Sequence, residues 1–168
     1  FNLFGKYNAL LGDEQRITFS ASAFQSKWNA SGQIPDRAVE SIGRFGAIDD
    51  NEGGITSRYN FNFEHVKNLK NNALFKNQLY YSDYAFELYS NFTFFLEEPM
   101  NGDEIRQKEH RRIFGYNGAF QKESQLSGKR LASELGIFFR NDDVNDNELS
   151  RTRQRDITQY NLALGDVS

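Results

Sequence analysis

Hydrophobic and polar residues alternate along much of this chain. In "SRYNFNFEHV", Tyr59, Phe61 and Phe63 occupy one parity, while Asn60 and Asn62 occupy the other. The segments "RIFGYNGAFQ" and "RDITQYNLALG" repeat the alternation. Because successive side chains of a β-strand point to opposite faces, this period of two predicts strands that each have one apolar and one polar face.

We predict an all-β fold, an antiparallel up-and-down meander of about seven long strands. The strands are expected at residues 1–11, 15–28, 57–66, 73–96, 109–123, 129–141 and 149–164. Their connections are short at 12–14, 67–72 and 124–128, and longer at 29–56, 97–108 and 141–148. A meander puts every second connection at the same end. Short turns at one end and long loops at the other are typical of transmembrane β-barrels.

The fourth predicted strand is unusually long and ends in an aromatic run, "SNFTFFLEEP". A transmembrane strand needs only about 9–11 residues. We therefore expect the upper part of this strand to stand above a membrane or at its outer aromatic girdle.

The dipeptide Tyr-Asn recurs on four of the predicted strands. The pairs are Tyr7-Asn8, Tyr59-Asn60, Tyr116-Asn117 and Tyr160-Asn161. In a transmembrane barrel the tyrosines should lie on the outer, apolar face and the asparagines on the lumen side, because an unpartnered amide in hydrocarbon costs several kcal/mol. The alternative interpretation is a composition bias toward Tyr and Asn.

Composition narrows the class of protein. The chain has 168 residues, of which 15% are aromatic and 26% charged, with a net charge of -3 and no cysteine. Disulfides and thiolate metal sites are thereby excluded. The net charge and the lack of a long basic patch argue against a nucleic-acid partner. Since the chain begins with Phe1, we expect it to be a piece of a longer protein.

Two long segments, residues 21–63 and 84–118, resemble the barrel region of TonB-dependent outer-membrane receptors. The distinctive motifs are "SGQIPDRAV", "RFGAID", "EGG" and "NGDEIRQKE". The similarity extends from Tyr7 to Asp166, so residues 1–168 are interpreted as one partial barrel domain. The plug domain, the TonB-contacting segment and most of a 22-stranded barrel are expected to lie outside it.

The resemblance implies a function and a location. Such receptors lie in the outer membrane of Gram-negative bacteria and import scarce large solutes such as iron-siderophores, vitamins or oligosaccharides, energised through TonB. It also implies partners: the rest of the same receptor barrel and its plug, TonB, outer-membrane lipid and a surface lipoprotein. We expect neither a cofactor nor a metal.

The long loop at 29–56 supplies the first candidate ligand-binding residues. Arg37, Arg44, Asp49 and Asp50 are charged side chains in a glycine-rich segment, and loops of this length are often functional. The alternative is a loop folded against the barrel rim, where Arg–Asp pairs only stabilise it.

The segment "RTRQR" supplies the others. Arg151, Arg153 and Arg155 are two residues apart, which predicts three guanidinium groups on one strand face, pointing into the lumen. They could attract an anionic substrate. Alternatively they form salt bridges with lumen acids such as Glu134 or Glu123.

Catalysis and metal binding have little support. The acidic segment 141–148 lacks the glycine and the final glutamate of an EF-hand, so we interpret it as a solvated loop, with a calcium site as the less favoured alternative. His65 and His110 lack partners at metal-ligand spacing, and no hydrolase or phosphate-binding motif occurs. We therefore expect no enzyme. The alternatives to a transporter are a soluble lipocalin-like carrier of small ligands and a carbohydrate-processing jelly roll.

Overall fold

The computed structural model describes the backbone of residues 1–167 and the side chains of residues 1–156 and 163–165. Nearly all of the regular structure is β-strand, as predicted. The elements are β1 (Asn2–Leu10), β2 (Gln15–Asn29), α1 (Asp36–Ile42), β3 (Gly53–Leu69), β4 (Ala73–Ser90), β5 (Ile105–Leu126), β6 (Lys129–Arg153) and β7 (Asp156–Val167).

The strands form one open antiparallel sheet in chain order, from β1 at one edge to β7 at the other. The predicted up-and-down meander is therefore confirmed. Connections 30–52, 91–104 and 154–155 lie at one end of the strands, and 11–14, 70–72 and 127–128 lie at the other. This is the predicted division between long loops and short turns, except that the connection at 154–155 is short.

Two of the short turns have the backbone of tight hairpins. Asn71 and Asn72 have φ values of 61° and 52°, and Ser127 and Gly128 have 53° and 77°. Two successive residues with positive φ are the signature of the type I′ turn, whose twist matches that of the flanking strands. Asparagine and glycine tolerate this conformation best, so the sequence favours these turns locally.

The prediction of a loop at 141–148 is wrong, because these residues lie inside β6. Asp146 has a φ of 54°, and the pairing of β6 with β7 shifts register between Val144 and Asn147, which marks a β-bulge. The chain reverses instead at Gln154 and Arg155, whose φ values are 54° and 67°. Asn and Asp favour bulges and turns alike, so their clustering did not distinguish the two.

The fourth strand also ends earlier than predicted, at Ser90 rather than residue 96, and β5 begins at Ile105 rather than 109. The backbone N–H of Asn91 donates to a side-chain oxygen of Glu52 at 2.7 Å instead of to a neighbouring strand. Phe94 then takes a positive φ of 60°. The aromatic run of residues 92–95 therefore belongs to a loop.

Contacts divide the chain into two compact units, which are described separately. Unit 1 comprises Phe1–Phe24, Arg58–Asp83 and Arg112–Asp142, and unit 2 comprises residues 25–57, 84–111 and 143–168.

One face of unit 1 is apolar across neighbouring strands. Tyr7 of β1 is paired directly with Phe19 of β2, so the two side chains share a face. The ring of Phe19 meets that of Phe61 on β3 edge to face, with centroids 4.5 Å apart. Alternation places Tyr59 on this face as well. On β6 it places Leu135 with Phe139, whose ring lies 6.4 Å from that of Phe114.

The other face of unit 1 is polar and hydrogen-bonded. Asn60 accepts a hydrogen bond from Ser82 at 2.8 Å and donates one to Ser22 at 3.0 Å, which links three strands. A second series of hydrogen bonds crosses the sheet: Asn117 donates to Gln78 at 3.0 Å, and Gln78 donates to Asn62 at 2.7 Å. The polar side chains of this face therefore satisfy one another.

The predicted separation of tyrosines from asparagines is confirmed for three of the four pairs. Asn8 accepts a hydrogen bond from Thr18 on the polar face, opposite Tyr7. Asn60 and Asn117 take part in the hydrogen bonds of the polar face, so Tyr59 and Tyr116 point to the opposite face. The remaining pair, at 160 and 161, lies outside the described side chains.

A glycine on β5 makes room for an aromatic ring. A Cβ atom at Gly115 would overlap the ring of Tyr80 on the neighbouring strand. Glycine therefore lets the Tyr80 ring lie directly against the backbone of β5.

Candidate functional site

Three carboxylates are buried at the loop end of unit 2. Glu52, Asp103 and Glu104 retain only 4%, 3% and 2% of their surface exposure. Burying a charge is costly unless hydrogen bonds compensate for the lost water. Such a cluster therefore indicates either a structural anchor or a binding site, and the partners of each carboxylate distinguish the two.

Asp103 anchors the loop between β4 and β5. It accepts hydrogen bonds from the hydroxyl of Thr93 at 2.7 Å and from the backbone N–H groups of Leu96, Glu97 and Glu98 at 2.9, 3.0 and 2.8 Å. Burial acts to raise the pKa of Asp103, but these bonds outweigh it and hold the pKa below its ordinary value. Both oxygens are used, so Asp103 fixes the loop as a structural anchor.

Glu104 joins β5 to the turn between β6 and β7. Its Oε1 accepts from the Thr152 hydroxyl at 2.8 Å and from the Arg155 backbone N–H at 2.9 Å. Its Oε2 is buried without a hydrogen-bond partner. Burial therefore raises the pKa of Glu104, although the two hydrogen bonds oppose the shift.

Glu52 joins the loop between β2 and β3 to the end of β4. Its Oε1 accepts the Asn91 N–H at 2.7 Å, and its Oε2 is buried without a partner. Gly32, with a φ of 60°, packs directly against Oε2, where any Cβ atom would overlap it. Burial raises the pKa of Glu52; the hydrogen bond from Asn91 opposes the shift, and the negative charges of Asp49 and Glu104 add to it.

Asn91 has one amide atom paired and one unpaired. Its Nδ2 donates to Asp49 Oδ2 at 2.8 Å, while its Oδ1 is buried without a partner. Asp49 also accepts the backbone N–H of Asn51 at 2.9 Å. Asp49 therefore has a structural role in holding two connections together.

Arg155 is the cation of this cluster. Its Nε donates to the Asn51 carbonyl at 2.7 Å, and its Nη2 donates to Asn29 Oδ1 at 3.0 Å and the Glu52 carbonyl at 3.1 Å. The guanidinium also lies 5.4 Å from the ring centre of Tyr89, within the range of a cation–π contact. Its donors are thus directed at backbone and amide oxygens of the protein.

The prediction that Arg151, Arg153 and Arg155 share one strand face is wrong. The turn at residues 154–155 separates Arg155 from the other two, which lie on β6. Arg151 pairs with Glu97 at 2.8 Å, and Arg153 donates to Asn101 at 3.0 Å. The alternative interpretation, that the arginines form salt bridges, is confirmed for Arg151, whose acids are Glu97 and Asp103. The acids named as examples have other donors: Glu134 accepts from Gln121, and Glu123 accepts from Arg130.

The other predicted residues lie apart from the buried cluster. Arg37 is on α1, and Arg44 and Asp50 follow it in the same connection; all three are exposed. Asp49 alone of the four predicted loop residues contacts the cluster, through Asn91. A ligand-binding role for these residues remains a prediction.

Sequence reasoning missed the residues that organise the site, namely Glu52, Asn91 and Glu104. A signal was available in "EGG". A Cβ atom at Gly54 would lie 2.6 Å from the Glu87 carbonyl and 2.7 Å from the Trp28 ring, which shows how closely the backbone is packed beside Glu52. Two glycines at the start of a strand indicate that another backbone approaches closely, so the segment beside Glu52 could have been expected to be tightly packed.

A cavity of about 140 Å³ opens beside Glu52 and Asn91. Its other walls are Ala30, Gly32, Gln33, Leu88, Tyr89, Ser90 and Phe92. The exposed surface of these walls is largely apolar. The unpaired oxygens of Glu52 and Asn91 are themselves buried.

Within the described residues, no three His, Cys, Asp or Glu side chains are grouped so that they could hold a metal ion. In the same part of the chain, no helix combines the length and the apolarity that crossing a membrane requires. Comparisons of the chain with protein-family models, with curated proteins and with solved structures found no match.

Proposed function

We propose that this chain is a segment of a TonB-dependent receptor barrel in the outer membrane of a Gram-negative bacterium. The transporter takes up a scarce large solute, such as an iron-siderophore, a vitamin or an oligosaccharide, energised through TonB. The observation that carries the proposal is the exposed apolar face of unit 1, which lies opposite a polar face whose side chains bond to one another.

The exposure of that face is large. Leu135, Ile137 and Tyr7 are 73%, 66% and 64% exposed. Among the described side chains, the buried hydrophobic residues are Tyr89 and Val144, and both belong to unit 2. Contiguous apolar surface of this kind marks contact with a membrane or another protein. Because this apolar face extends over at least five strands, we infer that lipid covers it.

The two sheet edges support a barrel that continues beyond the seven strands. β1 and β7 each have one side that pairs with no strand among the described residues. Unpaired backbone N–H and C=O groups are not tolerated in hydrocarbon, so a sheet in lipid must close. We infer that further strands of the same receptor complete it, with the plug inside.

The loops of unit 2 support a binding end. Carboxylate anchors hold the connections 30–52 and 91–104, which limits the entropy lost when a ligand binds. In the proposed receptor these loops face outward and meet the solute together with the plug. A surface lipoprotein remains a proposed partner at this end.

The soluble lipocalin-like carrier is the alternative from the sequence. A carrier covers its apolar face inside the barrel and presents a charged face to water. In unit 1 the apolar residues are highly exposed, and the side chains of the polar face form hydrogen bonds with one another. This arrangement favours the membrane protein.

A pair of substitutions on one strand tests the proposal. Leu135→Arg places a charge on the apolar face, and Ala132→Arg places the same charge on the polar face three residues away. If lipid covers the apolar face, Leu135→Arg destabilises the protein in bilayers: the free energy of unfolding falls by about 2–4 kcal/mol, the cost of a charge near the bilayer midplane. Ala132→Arg should change it by less than about 1 kcal/mol.

The assay is folding of the receptor containing this chain into lipid vesicles, followed by urea titration. The wild type should partition into detergent or lipid. A wild type that stays monodisperse in buffer without detergent, with both arginine variants equally tolerated, would refute the membrane assignment.

A further inference from the structure

We propose that a second cavity of unit 2 binds a sugar ring, so that the solute of the receptor is a carbohydrate. The inference rests on the proposed function for transport, whereas sugar binding itself can be tested separately. The cavity has a volume of about 360 Å³ and is bounded by residues of β4, β5, β6 and β7. This volume lies within the range of about 300–1,000 Å³ that small-molecule sites occupy.

An ion pair shows which side chains of β5 and β6 point toward this cavity. Arg106 bonds to Glu148 at 2.5 Å, so these two side chains share one face of the sheet. Because successive strand residues point to opposite faces, Gln107 and Asn147 project from the other face. Both residues line the cavity and both are exposed, so their amide groups are accessible to a ligand.

An aromatic ring from β4 lies on the same face. Glu87 is 3.7 Å from Arg106 on the charged face, so its neighbour Phe86 points to the face of the cavity. The Phe86 ring lies nearly parallel to that of Tyr84, at an interplanar angle of 17° and a centroid distance of 6.3 Å. Phe86 therefore gives the cavity a flat apolar wall.

The strand β7 contributes residues that leave room. Asn147 is paired directly with Gly165, and Leu149 with Ala163, so these small residues lie on the cavity face. A Cβ atom at Gly165 would meet no atom within 4 Å. The space above Gly165 is therefore open to a ligand.

The charges around the cavity favour a neutral ligand. Each of the charged residues that line it has an ionic partner. The pairs are Lys108–Asp146 at 3.4 Å, Glu109–Arg111 at 3.0 Å and Glu148–Arg106 at 2.5 Å. A charged ligand would have to displace one of these partners or enter without a counter-ion, and either is costly.

The accessible polar groups favour a ligand that carries several hydroxyl groups. A side-chain amide has two N–H donors and an acceptor oxygen, and a hydroxyl group both donates and accepts. Gln107 and Asn147 can therefore each bond to neighbouring hydroxyls of one ring. The C–H groups of a sugar ring can pack against Phe86. At about 30 Å³ for each water molecule, the cavity has room for a sugar unit of about a dozen non-hydrogen atoms.

The test uses the receptor containing this chain in lauryldimethylamine oxide micelles, because a detergent with a sugar head group would compete. The probes are the methyl glycosides of glucose, galactose, mannose and N-acetylglucosamine. The side-chain amide resonances of Gln107 and Asn147 report binding. At least one glycoside should saturate, with a Kd on the order of 1 mM, typical for so few atoms.

Two analogues test the charge and the hydroxyl groups separately. The matching methyl uronide keeps the ring and adds a carboxylate. Cyclohexylmethanol keeps a ring of the same size without the neighbouring hydroxyls. Both should bind at least about tenfold more weakly than the glycoside.

Variants with matched controls complete the test. Gln107→Ala and Asn147→Ala should each weaken the glycoside about three- to tenfold, whereas Gln33→Ala, which removes an exposed amide of the connection 30–52, should leave the Kd within about twofold. Gly165→Ile places a strand-favouring side chain in the open space and should abolish saturation. The control Gly5→Ile, also in open space but in unit 1, should bind like the wild type.

The inference is overturned if none of the four glycosides saturates the wild type. Equal or tighter binding of the uronide or of cyclohexylmethanol also overturns it, as does unchanged binding in both alanine variants. The vesicle experiment with Leu135→Arg and Ala132→Arg separates the two proposals. A protein that inserts as proposed but binds no glycoside refutes the carbohydrate alone, and saturable binding by a protein that fails the vesicle test refutes the receptor and retains the sugar site.

Discussion

Asp103 should control the order of the loop between β4 and β5. Substituting Asp103→Ala removes the acceptor of the hydrogen bonds from Thr93, Leu96, Glu97 and Glu98. Hydrogen bonds to a charged group contribute about 1.5–3 kcal/mol each, but the freed N–H groups regain water in an opened loop. We therefore expect the free energy of local opening to fall by about 2–4 kcal/mol rather than by the full sum.

Amide hydrogen exchange measures this opening directly. Each 1.4 kcal/mol corresponds to a tenfold change, so the amides of residues 96–98 should exchange about 30- to 1,000-fold faster in Asp103→Ala. The conservative variant Asp103→Asn keeps an oxygen toward Leu96 and Glu97 but turns an N–H₂ group toward the Glu98 N–H. Its effect should be confined to residue 98.

The pH dependence of the same amides has a defined sign. The pKa of Asp103 is lower in the folded loop than in an unfolded chain. The stabilisation is therefore fully present above the ordinary aspartate pKa of about 3.9 and is lost as the pH falls through the lower, folded pKa. After correction for intrinsic exchange, opening should increase below about pH 4 in the wild type and much less in Asp103→Asn.

A control and a refuting result follow from the division into units. Asp50→Asn removes an exposed acid of a neighbouring connection and should leave exchange at 96–98 unchanged. The reasoning fails if Asp103→Ala changes these amides by less than about threefold, or if residues 59–66 of unit 1 respond as strongly.

Two further substitutions test other features of the fold. Glu104→Gln should keep the Thr152 and Arg155 bonds through its oxygen and remove a buried negative charge, raising the free energy of unfolding at pH 7 by up to about 1–2 kcal/mol. The pKa of Glu104 is raised in the folded state, so the stability that it contributes is present at low pH and is lost as the pH rises through its folded pKa. The stability gained in Glu104→Gln should therefore shrink as the pH falls toward about 4.3, the ordinary glutamate pKa. A gain that does not depend on pH would contradict this assignment. Gly115→Ala should destabilise unit 1 by about 1–3 kcal/mol in urea titrations, because its methyl overlaps the Tyr80 ring. The matched Gly5→Ala, which meets open space, should be near neutral, and the cost at 115 should fall in a Tyr80→Ala background.

The two errors in the boundaries of β6 have different causes. Residues 141–148 contain Asn and Asp, which favour positive φ values. In this segment the positive φ at Asp146 forms a bulge rather than a turn, and β6 continues beyond it. The turn at Gln154 and Arg155 has no glycine or proline to announce it, and Arg155 is held there by the carbonyls of Asn51 and Glu52. Contacts with a connection distant in sequence therefore hold the turn at residues 154–155.

Sequence alone determined the strand count, the meander and the assignment of faces in unit 1. Alternation with a period of two depends only on the geometry of a strand, so Tyr59 and Asn60 had to face opposite ways wherever the strand was placed. Tertiary structure decided which acids are buried. Asp50, Glu52, Asp103 and Glu104 are chemically alike in the sequence, yet Asp50 is exposed and the other three are buried. Glu52 and Glu104 accept hydrogen bonds from other connections, and Asp103 accepts them within its own loop. A hydrogen bond such as that from the Asn91 N–H to Glu52 joins residues 39 positions apart, and no local pattern encodes it.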